Sequence, residues 1–202
     1  MGIWNKMEAN TIKNILYFLE KEENHNPPLF WKLKNNIPPT KEDLIIKGDL
    51  DLTYSYINSL PEGLEVGGKL ILMNSTIKSL PEGLKVGGDL NLILCDGITS
   101  LPKGVSIGGN IFFSPKRIIS IREGLFVGGD LNLFNSQIKS LPQGVKIGGE
   151  LILSFTKIET LPKGLIVKGG LDISGTVLEN YSNKQLRDMV KPGVIKGPII
   201  RD

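Results

Sequence analysis

The chain has 202 residues, of which 40% are hydrophobic and 22% are charged, so it can bury a sizeable core and lacks the composition of a disordered segment. Its net charge is only +3, and its lysines alternate with acidic residues, which argues against nucleic acid as a partner. A single cysteine and a single histidine exclude an internal disulfide and a histidine-containing metal centre, and no apolar run is long enough to span a membrane. We therefore expect no membrane, no metal and no cofactor.

Residues 1–43 are predicted to form a helical N-terminal cap. The first six residues lack the apolar core of a secretory signal, which favours a cytoplasmic protein of a bacterial or host cell. Residues 7–22 are predicted to be an amphipathic helix, because apolar side chains recur there at helical spacing, namely Ile12, Ile15, Leu16 and Leu19. Pro27 and Pro28 then end the helix. The alternative role for this segment is that of a docking element.

Residues 44–178 contain a repeat of twenty residues, which determines the predicted fold. The consensus of the units is Val-Gly-Gly-x-Leu-x-Leu followed by Ile-x-Ser-Leu-Pro-x-Gly-Leu, and Arg122 replaces the proline in one of them. The units, about seven in number, begin at Ile46, Val66, Val86, Ile107, Val127, Ile147 and Val167. Only the unit from Val86 is longer, by one residue between Ile93 and Gly97. We predict short parallel strands stacked on one face of a solenoid and joined by an irregular return path.

Stacking is predicted to bury one apolar residue of every repeat in a continuous row. This row consists of Leu52, Leu72, Leu92, Phe113, Leu133, Leu153 and Ile173. Glycine recurs at two positions, before the strand as at Gly48 and after Leu-Pro as at Gly63, where we expect positive φ or close backbone approach. A row of hydroxyl side chains is predicted to be either a hydrogen-bonding ladder or a set of turn formers. The insertion is expected to displace Cys95 from this row. Its members are Ser55, Ser75, Ser136, Thr156 and Thr176.

The repeat resembles the leucine-rich repeat, as in the run Leu70-x-Leu72-x-x-Ser75-x-Ile77-x-x-Leu80-Pro81-x-x-Leu84. The Leu-Pro pair makes the repeat similar to the short bacterial subtype of leucine-rich repeat that occurs in secreted effector ubiquitin ligases. The chain departs from that family where Ser or Thr replaces the usual Asn of the ladder. Its Gly-Gly before each strand looks more like repeat arrays of bacterial, phage and giant-virus proteins. The resemblance covers residues 44–178 and implies a leucine-rich-repeat-like solenoid, while its implication for function is weak.

Residues 179–202 are predicted to form a C-terminal cap and tail. Ser182 is expected to cap the N-terminus of a short helix that runs to Val190. Pro192 and Gly193 end this helix, and an aliphatic tail follows. Docking is again the alternative role.

The residues offer little for catalysis, so we predict that the chain is not an enzyme. Cys95 and His25 would be the obvious nucleophile and base, but a linear solenoid keeps them far apart. Residues 63–69 match the spacing of a phosphate-binding loop, yet Leu70 stands where that motif needs Ser or Thr. The glycines of this segment are repeat positions, so the match is interpreted as accidental.

Acidic residues recur just before the first leucine of the strands. They are Asp49, Asp89, Asp130 and Glu150. We interpret them as a solvated polar row, because calcium-binding repeats need denser and more regular oxygen ligands. The alternatives are a basic partner or a bound cation.

The outward positions of the strands are the predicted binding site. Because Leu90 and Leu92 point inward, the positions of Asn91 and Ile93 face outward. The predicted partner-binding residues are Ile71, Met73, Ile93, Phe112, Phe134 and Ile152, together with Asn91 and Asn132. An apolar and aromatic stripe on a sheet is typical of protein-binding solenoids. The alternative is that the caps or a second copy cover the stripe.

The resulting hypothesis is a non-catalytic scaffold that binds a protein partner, as a phage or bacterial effector-like inhibitor or adaptor. A first alternative is a structural or assembly component of a virion or a homo-oligomer. A second is the substrate-recognition part of an effector whose enzymatic domain is absent.

Overall fold

The structure is a computed structural model that describes residues 29–114, 118 and 120–201. The chain divides into two compact units, Met1–Leu44 and Ile45–Asp202. The amphipathic helix that the sequence predicts over residues 7–22 lies outside the described residues.

A buried ion pair joins two short helical elements of the first unit. Helix α1 (Leu29–Lys34) carries Lys32, whose Nζ lies 2.5 Å from Oδ2 of Asp43 in the 3-10 helix Glu42–Leu44. Thr40 donates its N–H and its hydroxyl to the same oxygen, at 2.6 and 2.9 Å. Burial acts to raise the pKa of Asp43, but these hydrogen bonds outweigh it and hold the pKa below its ordinary value.

The second unit contains two parallel β-sheets of eight strands each. Sheet A consists of β1 (Ile45–Ile46), β3 (Glu65–Val66), β5 (Lys85–Val86), β8 (Ser106–Ile107), β11 (Phe126–Val127), β13 (Lys146–Ile147), β15 (Ile166–Val167) and β17 (Val194–Ile195). Sheet B consists of β2 (Leu50–Asp51), β4 (Leu70–Ile71), β6 (Leu90–Leu92), β9 (Ile111–Phe113), β12 (Leu131–Asn132), β14 (Leu151–Ile152), β16 (Leu171–Asp172) and β18 (Ile199–Ile200). A third sheet pairs β7 (Ser100–Leu101) with β10 (Ser120–Ile121).

Each strand pairs with the strand one repeat away, which makes the second unit a parallel β-solenoid. Leu70 lies opposite Leu50 on one side and Leu90 on the other, so the register advances by twenty residues per coil. The step is twenty-one where Leu90 pairs with Ile111, because the third coil holds the extra residue. The prediction of stacked coils is confirmed. The repeat pattern predicted one strand per repeat, whereas each coil contributes one strand to sheet A and one to sheet B.

A glycine corner separates the two strands of each coil. Its second glycine recurs in all eight coils, from Gly48 to Gly197. Gly149 N–H donates to the carbonyl oxygen of Gly129 at 2.8 Å, and a Cβ on Gly149 would lie 2.8 Å from the Gly129 carbonyl carbon. This row of glycines therefore confirms the expected close backbone approach. The glycines after Leu-Pro confirm the expected positive φ, as at Gly63 with φ of +77°.

The core consists of rows of aliphatic side chains that neighbouring coils bury together. The row predicted from Leu52 to Ile173 is buried at every position except Phe113, which is half-buried. The return path adds a second buried row of Ile57, Ile77, Ile98, Ile118, Ile138, Ile158 and Leu178. A single coil could not shield these side chains, so the stability of each coil depends on its neighbours.

The extra residue of the third coil follows Cys95 and leaves it in register. Cys95 N–H donates to the carbonyl oxygen of Leu92 at 3.1 Å, as Ser75 N–H does to Leu72 at 3.0 Å. The expectation that Cys95 is displaced from the hydroxyl row is therefore wrong. The insertion is accommodated at Gly97, where a Cβ would lie 2.4 Å from a carbonyl oxygen of the preceding coil.

The C-terminal residues contain both the predicted helix and an unpredicted pair of strands. Helix α2 (Asn183–Met189) begins after Ser182, which forms a capping box with Gln185. Beyond it, β17 pairs with β15 and β18 pairs with β16, each in parallel. The tail from Val194 to Ile200 therefore adds one further strand to each sheet.

Helix α2 contacts the outer edge of sheet A through Arg187. Its Nε and Nη2 donate to the carbonyl oxygens of Ile195 and Gly197, at 3.3 and 3.0 Å. One coil earlier, the equivalent oxygens of Val167 and Gly169 accept backbone N–H groups of the next coil, at 2.9 and 3.0 Å. The guanidinium thus stands where the amides of another coil would donate.

Candidate functional site

The residues predicted to bind a partner lie on the outward side of sheet B, which we call the sheet B face. Strand β6 buries Leu90 and Leu92 and turns Asn91 outward. In register, the first row of this face consists of Asp51, Ile71, Asn91, Phe112, Asn132, Ile152, Asp172 and Ile200. The second row, two residues further along each coil, contains Thr53, Met73, Ile93, Ser114, Phe134, Ser154 and Ser174. Polar and apolar side chains therefore alternate from coil to coil along the first row.

The aromatic centre of the face groups three exposed apolar residues on adjacent coils. Ile93, Phe112 and Phe134 are 37%, 43% and 42% exposed. They border a shallow pocket of about 140 Å³. The pocket is lined by Ile93, Ile111, Phe112, Phe113, Ser114, Asn132, Phe134 and Ser136. Four predicted residues thus meet at one pocket, while the half-buried Ile71, Met73, Ile152 and Asn91 lie outside its lining.

The predicted polar residues also hold the ends of the strands. Asn91 Oδ1 accepts the N–H of Ile93 at 3.0 Å, and Asn132 Oδ1 accepts the N–H of Phe134 at 2.9 Å. Because each amide oxygen is engaged in this turn, the Nδ2 group is the one that is left to donate to a partner.

Sequence reasoning missed two exposed apolar residues beside the pocket. One position in the turn after the sheet B strand has positive φ, with values of 56° at Tyr54, 53° at Asn74, 59° at Leu94, 53° at Asn135 and 57° at Phe155. Leu94 and Phe155 are 56% and 52% exposed, and the Phe155 ring meets Phe134 edge-on at a centroid distance of 5.7 Å. Asn tolerates this conformation, whereas a bulky side chain there costs about 1–2 kcal/mol. The available signal was a large apolar side chain where other repeats carry Asn.

The acidic row takes part in the hydrogen bonding between coils. Each side-chain oxygen accepts the N–H of the equivalent residue in the next coil. The pairs are Asp49 with Lys69 (2.7 Å), Asp89 with Asn110 (2.9 Å), Asn110 with Asp130 (2.7 Å) and Asp130 with Glu150 (2.7 Å). The row therefore supplies acceptors for amides at the glycine corner, in addition to placing carboxylates on the surface.

Hydrogen bonds favour the ionised form of two carboxyls on or beside this face. The N–H of Asn110 lowers the pKa of Asp89, and Lys69 Nζ, which lies 3.2 Å from Asp89 Oδ2, lowers it further. The hydroxyl and the N–H of Thr53 lower the pKa of Asp51, at 2.5 and 2.9 Å from its Oδ1. Both groups therefore carry a negative charge at neutral pH.

The hydroxyl row does not form a continuous ladder, because the buried Oγ atoms of Ser55 and Ser136 have no hydrogen-bond partner. The hydroxyls of Thr156 and Thr176 donate to carbonyl oxygens three residues earlier, both at 2.6 Å. Cys95 occupies the same row, is buried, and donates its thiol to the carbonyl oxygen of Leu72 at 2.9 Å. Its Sγ lies 3.7 Å from Ser75 Oγ of the adjacent coil. These contacts give the cysteine a structural place in the solenoid.

The other chemical candidates have structural explanations in the described part of the chain. Gly67 and Gly68, in the segment with phosphate-loop spacing, donate their N–H groups to carbonyl oxygens of the preceding coil at 2.6 and 2.9 Å. Those amides are therefore engaged and do not form a phosphate cradle. Within the described residues, no three His, Cys, Asp or Glu side chains are grouped so that they could hold a metal ion. His25 lies outside these residues.

No protein-family model matches the chain, and neither does any curated protein or solved structure. Residues 29–114, 118 and 120–201 contain no helix with the length and apolarity of a membrane-spanning segment. The sheet B face is therefore interpreted from its own geometry.

Proposed function

We propose that this chain is a non-catalytic repeat scaffold that binds a protein partner through the sheet B face. The proposed anchors are Ile71, Met73, Ile93, Phe112, Phe134 and Ile152, with Asn91 and Asn132 as polar contacts. The mechanism is occupancy of the partner's surface. The leucine-rich-repeat class, the cytoplasmic location and the role of a phage or bacterial effector-like inhibitor or adaptor belong to the same proposal and rest on the repeat resemblance.

The observation that carries this proposal is the placement of Leu94 and Phe155. Both have a left-handed backbone and are about half exposed, although Asn74 and Asn135 occupy the same position without that strain. Tyr54 shares the position and the backbone conformation, but its exposed ring carries a polar hydroxyl. A bulky residue there costs folding energy and leaves apolar surface in water. Both costs are offset if a partner covers the side chains, and they adjoin the pocket on the sheet B face.

The test is a double substitution of Phe112→Asp and Phe134→Asp in a capture experiment from the native host. We expect the variant to lose the proteins that the wild-type chain retains, because charged side chains would replace the central aromatic anchors. Phe126→Asp is the matched control, since Phe126 is 41% exposed but lies on sheet A. Circular dichroism checks that all variants fold. Equal capture by the wild-type chain and the double variant would refute the proposal.

A further inference from the structure

We infer that the partner's docking segment is a stretch of polypeptide in which lysine or arginine side chains stand beside apolar ones. This inference rests on the proposed function and adds the chemistry of the partner. It is carried by the unequal distribution of charge over the two sheets of the solenoid.

The sheet B face is acidic although the chain as a whole is basic. Its first row and the corner residue before each strand carry six carboxylates and one lysine, a net charge of −5. These residues are Asp49, Asp51, Lys69, Asp89, Asp130, Glu150 and Asp172. The count covers the described residues, and Lys116 and Arg117 lie outside them. The local charge of the face is therefore opposite in sign to the net charge of +3.

The outward side of sheet A has the opposite charge. Its outward strand positions and the residue after each strand carry five lysines and one glutamate, a net charge of +4. These residues are Lys47, Glu65, Lys85, Lys146, Lys168 and Lys196. The corner between Val86 and Leu90 thus separates a basic sheet surface from an acidic one, and the exposed pocket aromatics Phe112 and Phe134 lie on the acidic side.

Five of the six carboxylates of the sheet B face accept a backbone N–H group. Asp89 and Asp130 each use Oδ1 to accept an N–H of the next coil, which orients the side chain, and Asp89 Oδ2 lies 3.2 Å from Lys69 Nζ. Coils are about 4.8 Å apart, so these two carboxylates stand about 10 Å apart along the solenoid. A fixed row of charges beside an apolar stripe loses little side-chain entropy on binding.

Covering this face with a neutral or acidic surface would strip water from several carboxylates without compensation. A segment with cations beside apolar side chains would pair with the carboxylates while its apolar groups reach Ile93, Phe112 and Phe134. The face would also repel the phosphates of a nucleic acid. The apolar stripe and the acidic row together therefore favour a basic, partly apolar polypeptide segment.

The test uses three short synthetic peptides with the 202-residue chain. The first alternates lysine with leucine and phenylalanine, the second replaces its lysines by glutamate, and the third replaces its apolar residues by serine. Binding is measured by fluorescence anisotropy at low and at high salt. We expect the first peptide to bind at least roughly tenfold more tightly than either control, with an affinity that falls as salt rises.

Charge variants then locate the binding. Asp89→Asn, Asp130→Asn and Asp172→Asn together remove three charges but keep the oxygen that accepts a backbone N–H, as Asn110 already does at one corner. We expect this triple variant to bind the first peptide roughly tenfold more weakly. The matched control removes three exposed carboxylates from the turns after Leu-Pro or its equivalent and should bind within about twofold of wild type. It consists of Glu62→Gln, Glu82→Gln and Glu123→Gln.

Three results would overturn the inference: equal binding of the lysine and glutamate peptides, equal effects of the two triple variants, or salt-sensitive oligomers of the chain alone. Oligomers of the chain alone are measured by sedimentation. If Lys85→Gln with Lys146→Gln abolishes them, the sheet B face binds the basic surface of sheet A in a second copy. The proposed function is tested separately. If Phe112→Asp with Phe134→Asp abolishes capture but the peptide and charge-variant experiments show no charge dependence, the proposed protein binding is retained and the basic character of the partner is refuted.

Discussion

Alanine at Gly149 tests whether the spacing of the coils depends on the glycine corner. A Cβ there would lie 2.0 Å from Asp130 Oδ1, 2.8 Å from the Gly129 carbonyl carbon and 2.9 Å from its oxygen. Rotating Asp130 away would relieve the first contact but would leave the N–H of Glu150 without the carboxylate that it now meets at 2.7 Å. The two backbone contacts can be relieved only if the coils move apart.

The expected loss of folding free energy follows from these contacts. A hydrogen bond to a charged group contributes about 1.5 kcal/mol at the low end, which suits an exposed pair. Overpacking that shifts the backbone adds about 2 kcal/mol, and the reduced entropy of the unfolded alanine chain returns about 0.5 kcal/mol. We therefore expect Gly149→Ala to lower the free energy of unfolding by about 3 kcal/mol.

Two other glycines separate steric contact from backbone strain. Gly48 occupies the same corner in the first coil, but no described atom lies within 4 Å of its added Cβ, so Gly48→Ala should change stability by less than about 0.5 kcal/mol. Gly144 also has open space but a φ of +72°, so Gly144→Ala should cost about 1 kcal/mol through strain alone. Urea denaturation followed by circular dichroism measures all three variants. Equal losses for Gly149→Ala and Gly48→Ala would refute the reasoning.

Three further predictions concern the sheet B face and the outer edge of sheet A. Leu94→Asn should raise the free energy of unfolding by about 1 kcal/mol, since it relieves left-handed strain, while it weakens partner binding; a less stable variant in urea denaturation would contradict this. Because hydrogen bonding lowers the pKa of Asp89 in the folded chain, its contribution to stability is present above its ordinary pKa of 3.8 and is lost as pH falls below that value. Asp89→Asn should flatten that part of the stability-against-pH curve and keep the acceptor for Asn110 N–H, whereas an unchanged curve would exclude Asp89 as its source. Arg187→Ala should expose the carbonyl oxygen of Ile195 and promote end-to-end association, seen as larger species in light scattering that Lys184→Ala does not produce.

The stacked coils could be predicted because the repeat period sets which residues of successive coils lie opposite one another. A twenty-residue period with leucines at alternating positions allows few arrangements that bury Leu70, Leu72 and their equivalents, and the structure places them as expected. The second sheet was missed because its strands contain only two residues. The alternation of Lys85 and Val86 is too short to read as a strand without the neighbouring coil.

The sequence predicted which side chains of the sheet B face point outward, but not all of the residues that make up its exposed surface. Alternation placed Asn91 and Phe112 outward, as the structure has them. The exposure of Leu94 and Phe155 depends on a left-handed turn that propensity alone would assign to Asn or Gly. The tail was missed as a coil because helix α2 lengthens the last repeat to twenty-eight residues, from Ile166 to Val194.

The sequence by itself determined the coil, its inward rows and the side of the sheet on which each side chain stands, because period and alternation are local properties. Only the tertiary structure decided which side chains of one coil hydrogen-bond to or lie beside those of the next. The acceptance of the Glu150 N–H by Asp130 and the acidic surface beside the pocket both join residues of different coils. Such pairings depend on backbone groups that become neighbours only when the coils stack.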